Sequence, residues 1–279
     1  MHTSNLLSII IPVYNEEQVI ADCIASLLKQ NYKEKEIILV DDGSTDNTVQ
    51  IIRQFEGVQL LKQQHKGPAQ ARNLGAKTAS GKILVFVDSD MTFERDFLDK
   101  LTTPIFVKDV KGTFSNEEYI ENWDNVWSRC WNFNRNFAYK KMHSENQSDY
   151  GTDFRAILSS EFKRVGGFSD TGYTDSWTLF QKLGYRPRAA KGAIFYHKNP
   201  ADLGEVFIQS KWMSKRPYKL GIFGDMIALV RYSVLVSLVV GIYKAMKYKT
   251  YQFVLFKLVF DFGGFLGILQ KVFFGKLTK

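Results

Sequence analysis

Apolar and polar positions follow two rhythms over the first hundred residues. Four short apolar runs, LSIIIPV at 7–13, EIILV at 36–40, VQLL at 58–61 and ILVFV at 83–87, have the length of buried strands. Between them the spacing turns helical. Val19, Ile20, Cys23, Ile24, Leu27 and Leu28 share one face of a predicted helix over 16–30. A turn at Asp42-Gly43-Ser44-Thr45 leads into a helix over 46–55, with Ser44 or Thr45 as its cap. Pro68 opens a helix to about Ala79, and another follows at 95–103. Strands alternating with helices predict βαβ units, an α/β class and a mainly parallel sheet. Ligands bind such sheets beyond the carboxyl ends of the strands. Tyr14-Asn15-Glu16, Asp41-Asp42-Gly43-Ser44 and Asp88-Ser89-Asp90 all fall at such ends, so they are expected to converge.

The second half is less regular. An aromatic-rich helix is expected over 117–142, with Trp123, Trp127 and Trp131 at a spacing of four. A core-facing stripe explains that spacing better than a sugar platform. A strand at 154–158, helices at 160–165 and 175–183, a strand at 192–196 and a helix at 202–216 complete this part. From about 222 the chain becomes strongly apolar. Residues 226–243 are interrupted by Arg231, and residues 251–269 by Gln252, Lys257 and Asp261. Spanning a bilayer takes ~20 apolar residues, so each segment is marginal. A two-helix hairpin or two interfacial helices fit the pattern. Packing on the preceding domain is the alternative, and apolar residues almost all round the first segment favour the membrane.

Charge sharpens this picture. The net charge of +8 over 279 residues is uneven: residues 1–200 carry 25 basic and 25 acidic side chains, residues 201–279 carry 12 and 4. A nucleic-acid-binding tail would be basic without long apolar runs. A basic and apolar end suits an anionic membrane surface, with no nucleic acid as partner. The two cysteines, Cys23 and Cys130, form neither a disulfide framework nor a metal spacing, and a buried thiol at Cys23 fits a reducing compartment. MHTSNLLSIIIPVYNEE lacks a basic start and is broken by Pro12, Asn15 and Glu16, so it reads as a first core strand and not a signal peptide.

Asp88-Ser89-Asp90 carries the most chemistry. Two carboxylates two residues apart at a strand end can face one Mg²⁺ or Mn²⁺, which would offset charge on a diphosphate leaving group. Alone, such a pair is more often a solvated turn; its place after ILVFV raises its weight. Asp41-Asp42-Gly43-Ser44 can accept hydrogen bonds from a base or a ribose, although an Asx turn accounts for the glycine and serine. Tyr14, in Pro12-Val13-Tyr14-Asn15-Glu16, can stack on a base. The histidines, His2, His65, His143 and His197, show no metal spacing, and lone histidines such as His65 and His197 are more often structural or solvated. The glycines form neither a Walker loop nor a dinucleotide fingerprint.

IIIPVYNEE, ILVDDGSTDNT and GPAQARNLGAKTASGKILVFVDSDM, in this order, resemble the inverting glycosyltransferases of family 2 over about residues 6–102. The resemblance implies a GT-A fold, Rossmann-like with helices flanking a mainly parallel sheet, and a nucleoside-diphosphate sugar as donor. It implicates Pro12, Tyr14 and Glu16 in nucleotide binding, Asp42 at the base with Asp41 beside it, and Arg72 near the nucleotide or diphosphate. It likewise implies Asp88 near the ribose, Ser89 in the same site, and Asp90 as the metal ligand. FRAILSSEFKRVGGFSDTGYTDSWTLFQKLGYRP looks like the family's acceptor segment, where an acidic pair starts a helix. Its second acid, the expected general base, is Asp175; the first is replaced by Thr174. A helix N-terminal charge is the competing account of Asp175. Arg155 and Lys211 are candidates for diphosphate or acceptor contacts. Gln209-Ser210-Lys211-Trp212 only faintly echoes the motif of processive members, and Arg216 is a further candidate for the diphosphate.

The expectation is therefore a GT-A domain over 1–221 and a membrane-associated helical segment over 222–279, at the cytoplasmic face of a membrane. The reaction expected is a metal-assisted inverting transfer to a glycan or lipid-linked acceptor. Two rivals are a non-catalytic, membrane-tethered sugar-nucleotide-binding protein and a nucleotidyltransferase. The second would carry a glycine-rich phosphate loop where this chain has Pro12-Val13-Tyr14-Asn15.

Overall fold

The computed structural model describes residues 5–107, 110–137, 139–142, 148–169, 175–215 and 218–274, with the side chains of 175–177 outside that description. Two compact units are interleaved along the chain. The first comprises residues 1–119 and 143–197, the second residues 120–142 and 198–279.

In the first unit the chain runs β1 (Leu7–Val13), α1 (Ile20–Leu28), β2 (Lys35–Asp41), α2 (Thr48–Ile52), β3 (Val58–Lys62), α3 (Pro68–Thr78) and β4 (Ile83–Phe86). It continues through β5 (Met91–Phe93), α4 (Phe97–Val107), β6 (Gly112–Phe114) and β7 (Glu118–Ile120), whose last residue enters the second unit. There α5 (Val126–Asn134) follows. The chain returns with β8 (Ala156–Leu158), α6 (Ser159–Arg164), α7 (Asp175–Leu183), β9 (Arg188–Ala189) and β10 (Phe195–His197).

Seven strands form the main sheet in the order β3-β2-β1-β4-β8-β6-β9. The first four are mutually parallel; β8 is antiparallel to both β4 and β6, and β9 is parallel to β6. The sheet is thus the parallel-dominated α/β sheet expected from the strand–helix alternation. Both of its faces are covered. Ile9, Ile11, Val85 and Leu39 pack with α1 and α4 side chains on one face, and Ile10, Ile38, Leu84 and Phe86 with α3 and α7 side chains on the other. That double burial explains why these strands read as continuous apolar runs. Beside it, β5, β10 and β7 form a small sheet. It lays His197 opposite Met91, one residue past Asp90.

The second unit contains α5 and the C-terminal helices α8 (Leu203–Met213), α9 (Gly221–Arg231), α10 (Val234–Lys247) and α11 (Phe253–Phe274). Its core joins Cys130, Trp131 and Phe133 of α5 to Val206 of α8 and Phe253 and Phe256 of α11. A Cβ at Gly267 would collide with the Lys211 carbonyl, so α11 and α8 meet backbone to backbone.

Several expectations are corrected. The helix expected over 16–30 begins only at Ile20, because Asn15 adopts a left-handed conformation (φ 55°) and the chain is still turning. Ser44 and Thr45 do not cap α2; its N-cap is Asn47, and both residues are engaged with Asn15. The helix expected over 117–142 is a strand, a turn and a nine-residue helix. Asn125 sets the start of α5 by accepting the N–H groups of Trp127 and Ser128, and Asn136 (φ 66°) follows its end. Trp123 precedes the helix, so the three tryptophans are not on one helix, yet the core-facing reading holds: Trp131 lies in the core and Trp123 and Trp127 pack against it. The apolar segment over 226–243 is two helices, α9 and α10, bent by 61°. β5, β6 and β9 are too short to leave a sequence signal.

Candidate active site

The three polar clusters do converge on the carboxyl edge of the parallel strands. The turns after β1 and β2 are laced together. The Asn15 N–H donates to Ser44 Oγ (3.0 Å), the Thr45 N–H to Asn15 Oδ1 (2.8 Å) and the Glu16 N–H to Thr48 Oγ1 (2.8 Å). Pro12 lies on β1 opposite Val40 of β2. Asp41, at the end of β2, is buried, and its Oδ1 accepts the Ser44 N–H at 3.1 Å.

Asp42 organises the loop that opens α3. Its Oδ1 accepts Gln63 Nε2 (2.6 Å) and the Lys66 N–H (2.8 Å), while its Oδ2 accepts the Gly67 N–H (2.8 Å) and lies 3.0 Å from His65 Nδ1. Gly67 has φ 88°, a left-handed conformation that glycine adopts without steric cost before Pro68 starts the helix. The His65 ring lies against Tyr14, with centroids 4.2 Å apart. A tilted aromatic pair therefore stands beside a buried carboxylate, a surface suited to a flat, hydrogen-bonding base.

Asp88 lies beyond β4 between two arginines. Arg72 Nη2 of α3 donates to its Oδ1 (2.6 Å) and Arg155 Nη1 to its Oδ2 (3.2 Å). Burial opposes the charge, but the guanidinium groups of Arg155 and Arg72 outweigh it and hold the Asp88 carboxyl down at about 2. Arg155 is steadied in turn by Asp153, 3.5 Å from its Nε, and lies over the Phe195 ring. Beneath the motif, the buried Cys23 thiol approaches the Asp88 carbonyl (3.7 Å), and burial raises its pKa, so it is a structural and not a nucleophilic thiol. Ser89 is also buried.

Asp90 carries the decisive detail. Its Oδ2 is 2.8 Å from His197 Nε2, and His197 Nδ1 is 3.1 Å from Glu118 Oε1. Burial disfavours the His197 cation, yet Asp90, and then Glu118, outweigh it and hold its pKa well above the usual histidine value. Asp90 Oδ1 is buried and has no hydrogen-bond partner. A buried carboxylate oxygen left unpaired costs free energy, and a water or a hard cation would satisfy it. Among the described residues no group of three or more His, Cys, Asp or Glu side chains is placed to hold a metal. Asp90, with His197 beside it, would thus supply few protein ligands, which fits a Mg²⁺ or Mn²⁺ that keeps waters and takes phosphate oxygens.

A cavity of about 360 Å³ adjoins this cluster, lined by Asn116, Glu118, Tyr150, Asp153, Arg155 and Phe195 among others. A second, of about 70 Å³, lies against Arg72, Asp88, Arg155 and Phe168. Tyr14, Asp41, Asp42, Arg72, Asp88, Ser89, Asp90 and Arg155 thus belong to one edge of the first unit. Asp175 is the first residue of α7, but its side chain lies outside the described residues, as do Thr174 and Arg216. Lys211 belongs to the second unit, on α8, with its ammonium over the Phe207 ring. Glu118 and Asp153 escaped the sequence reading, and His197 drew only slight notice. Its one signal was its place at the end of the apolar run GAIFY.

The family model described as glycosyl transferase family 2 matches residues 8–166. The chain belongs to this family. Its relatives include the glycosyltransferase GlyG of Streptococcus pneumoniae serotype 4, 38% identical over 118 residues that cover 40% of this chain and 39% of GlyG. Another is WfgD of Escherichia coli, named as a UDP-Glc:alpha-D-GlcNAc-diphosphoundecaprenol beta-1,3-glucosyltransferase, 37% identical over 42% of this chain and 47% of WfgD. The match thus spans less than half the length of either relative. Among solved structures, the mannosyltransferase PcManGT of Pyrobaculum calidifontis, in complex with GDP-Man and Mn²⁺, superposes with a TM-score of 0.59 at 17% identity, over 92% of this chain and 86% of that one. Residues 1–349 of Staphylococcus aureus TarS, in complex with UDP-GlcNAc, give 0.56 at 15% identity, over 97% and 92%. At these identities the likeness establishes the shared GT-A fold.

Proposed function

We propose that this chain transfers a sugar from a nucleoside-diphosphate sugar to an acceptor hydroxyl with inversion, assisted by a divalent cation. The observation that carries the reading is the unpaired, buried Asp90 Oδ1 beside the Asp88 carboxylate clamped by Arg72 and Arg155. The nucleotide base stacks at Tyr14 and His65, with Asp41 and Asp42 fixing the surrounding loops, and Pro12 and Glu16 shaping the turn between them. Asp90 holds the cation, which when bound supplies charge neutralisation for the diphosphate leaving group. Arg72 and Arg155 orient the phosphates or the sugar at Asp88. Asp175, placed by its chain position at the start of α7, takes the proton from the acceptor hydroxyl, which is a poor nucleophile until that proton leaves. The names and bound ligands of the relatives support a UDP- or GDP-sugar as donor.

The acceptor is a glycan or a lipid-linked saccharide, and the enzyme works at the cytoplasmic face of a membrane, in the synthesis of a cell-surface glycan or glycolipid. The lipid-linked acceptor in the name of WfgD and the apolar, basic C-terminal helices support this. Titration calorimetry with UDP- and GDP-sugars, with and without Mn²⁺, tests the donor site. Wild type is expected to bind one nucleotide in a metal-dependent manner and Asp90→Ala to lose that dependence. Folded protein that binds no nucleoside-diphosphate sugar would overturn the reading.

A further inference from the structure

Helices α9 and α10 are inside out. The side of α9 that faces its own unit carries Gly224, Asp225 and Ala228, all buried. The corresponding side of α10 carries Ser237, Gly241 and Lys244. Their outward sides are apolar. On α9, Ile222, Phe223, Met226, Ile227 and Val230 are all more than half exposed. On α10 the same holds for Val234, Leu235, Val239, Ile242, Tyr243 and Met246. A water-facing helix shows the opposite arrangement, and a contiguous apolar surface of this kind marks an interaction site.

The inward polar groups are satisfied within the unit. Lys271 pairs with Asp225, Ser237 Oγ donates to Asp261 Oδ2 (2.6 Å), and Lys257 Nζ lies 2.6 Å from Asp261 Oδ1. Lys244 Nζ donates to the carbonyls of Phe133 and Asn134 at the end of α5, each at 2.8 Å. The polar side is therefore used up in holding the helices, and the apolar side is left for a partner.

Charge identifies that partner. Between 218 and 250 the exposed charged residues are Lys219, Arg231, Lys247 and Lys249, all cationic, and the single acid, Asp225, is buried. A second copy of this chain would bring like charges together, whereas an anionic lipid surface neutralises them. Length and shape identify the depth. At ~1.5 Å per residue, the 11 residues of α9 and 14 of α10 each fall well short of the ~30 Å hydrocarbon core, and they bend by 61° at the exposed Arg231. α11 is the one described helix long and apolar enough to cross a membrane by itself, but it buries Lys257, Asp261 and its glycines inside the unit.

We propose that α9 and α10 lie in one leaflet of an anionic membrane, seated by their outward apolar sides, with none of the described helices crossing the bilayer. This deepens the membrane reading given above and rests on it for the choice of membrane face. It is independent of donor binding, which belongs to the first unit.

The test uses the full chain and vesicles of phosphatidylcholine with and without phosphatidylglycerol. Cys23 and Cys130 are both buried, so an environment-sensitive fluorophore can be placed at Leu235→Cys, and separately at Ile242→Cys. Both probes are expected to shift to the blue only when anionic vesicles are added. Quenching by nitroxides near the headgroups should exceed quenching by nitroxides at the bilayer centre. Partition into anionic vesicles should exceed that into neutral ones by roughly tenfold or more. A variant carrying Leu235→Glu, Val239→Glu and Ile242→Glu should lose partitioning while still binding the nucleotide sugar. Three results would each overturn the proposal: a concentration-dependent blue shift without vesicles, which marks a second copy; equal partition into both vesicle types; and strongest quenching at the bilayer centre, which marks a spanning helix.

Discussion

Asp42 shows how a single carboxylate can organise the loop of a candidate binding site. Four groups of the 63–67 loop converge on its two oxygens, and His65, one of the four, stacks on Tyr14. Asp42→Ala removes the acceptor of the part-buried N–H groups of Lys66 and Gly67 and is expected to cost about 1–2 kcal/mol in urea denaturation. Tyr14→Ala leaves the loop intact and should weaken nucleotide binding by about tenfold in calorimetry, the scale of one aromatic stacking contact. The four aspartates of this edge were legible in sequence because each follows an apolar strand and so projects from a sheet end. His197 and Glu118 were not. His197 reaches Asp90 across 107 residues, a pairing set by the antiparallel register of β10 on β5, and neither strand is longer than three residues.

Among the elements, α6 carries a test of electrostatics away from the site. Its Glu161 accepts hydrogen bonds from Arg164, Lys111 and Tyr185. The Arg164 bond does most to hold the Glu161 carboxyl down at about 2, from an ordinary value of 4.5. A depressed pKa stabilises the fold above the ordinary value, and that contribution disappears as pH falls through the depressed one. Glu161→Gln should therefore melt below wild type at neutral pH, and the two melting curves should converge between about pH 4.5 and 2. Where α11 crosses α8, Gly267→Val sets side-chain atoms against the Lys211 carbonyl and should lower stability by about 2 kcal/mol or more, read by the same melts. Elements with strong periodicity, such as β1, α3 and α8, fall within a few residues of their sequence expectation. The stretch after Glu117 did not, because Asn125 starts its own helix and a residue count alone does not reveal a cap that interrupts a period.

At the scale of the whole molecule, the match to the family model begins at residue 8 and closes at 166, so it covers most of the first unit and, in the second, only residues 120–142. The second unit has a different chain history. Its α5 comes from residues 126–134, yet the aromatic side chains that cover Trp131 and Phe133, from Tyr248 to Phe256 and Phe260, are made roughly 120 residues later. At translation rates of about 5–20 residues per second, α5 waits on the order of ten seconds for its partners. Within that interval the last strand of the main sheet, β9, is made at residues 188–189 and the sheet can close, while Cys130, Trp131 and Phe133 stay uncovered. Ribosome-bound chains arrested at residue 221 should accordingly be cut by protease within α5 and resist it in β1 to β4; chains arrested so that α11 has emerged should resist it in both. Until α11 is made, the apolar face of α5 lacks the side chains that cover it in the folded unit.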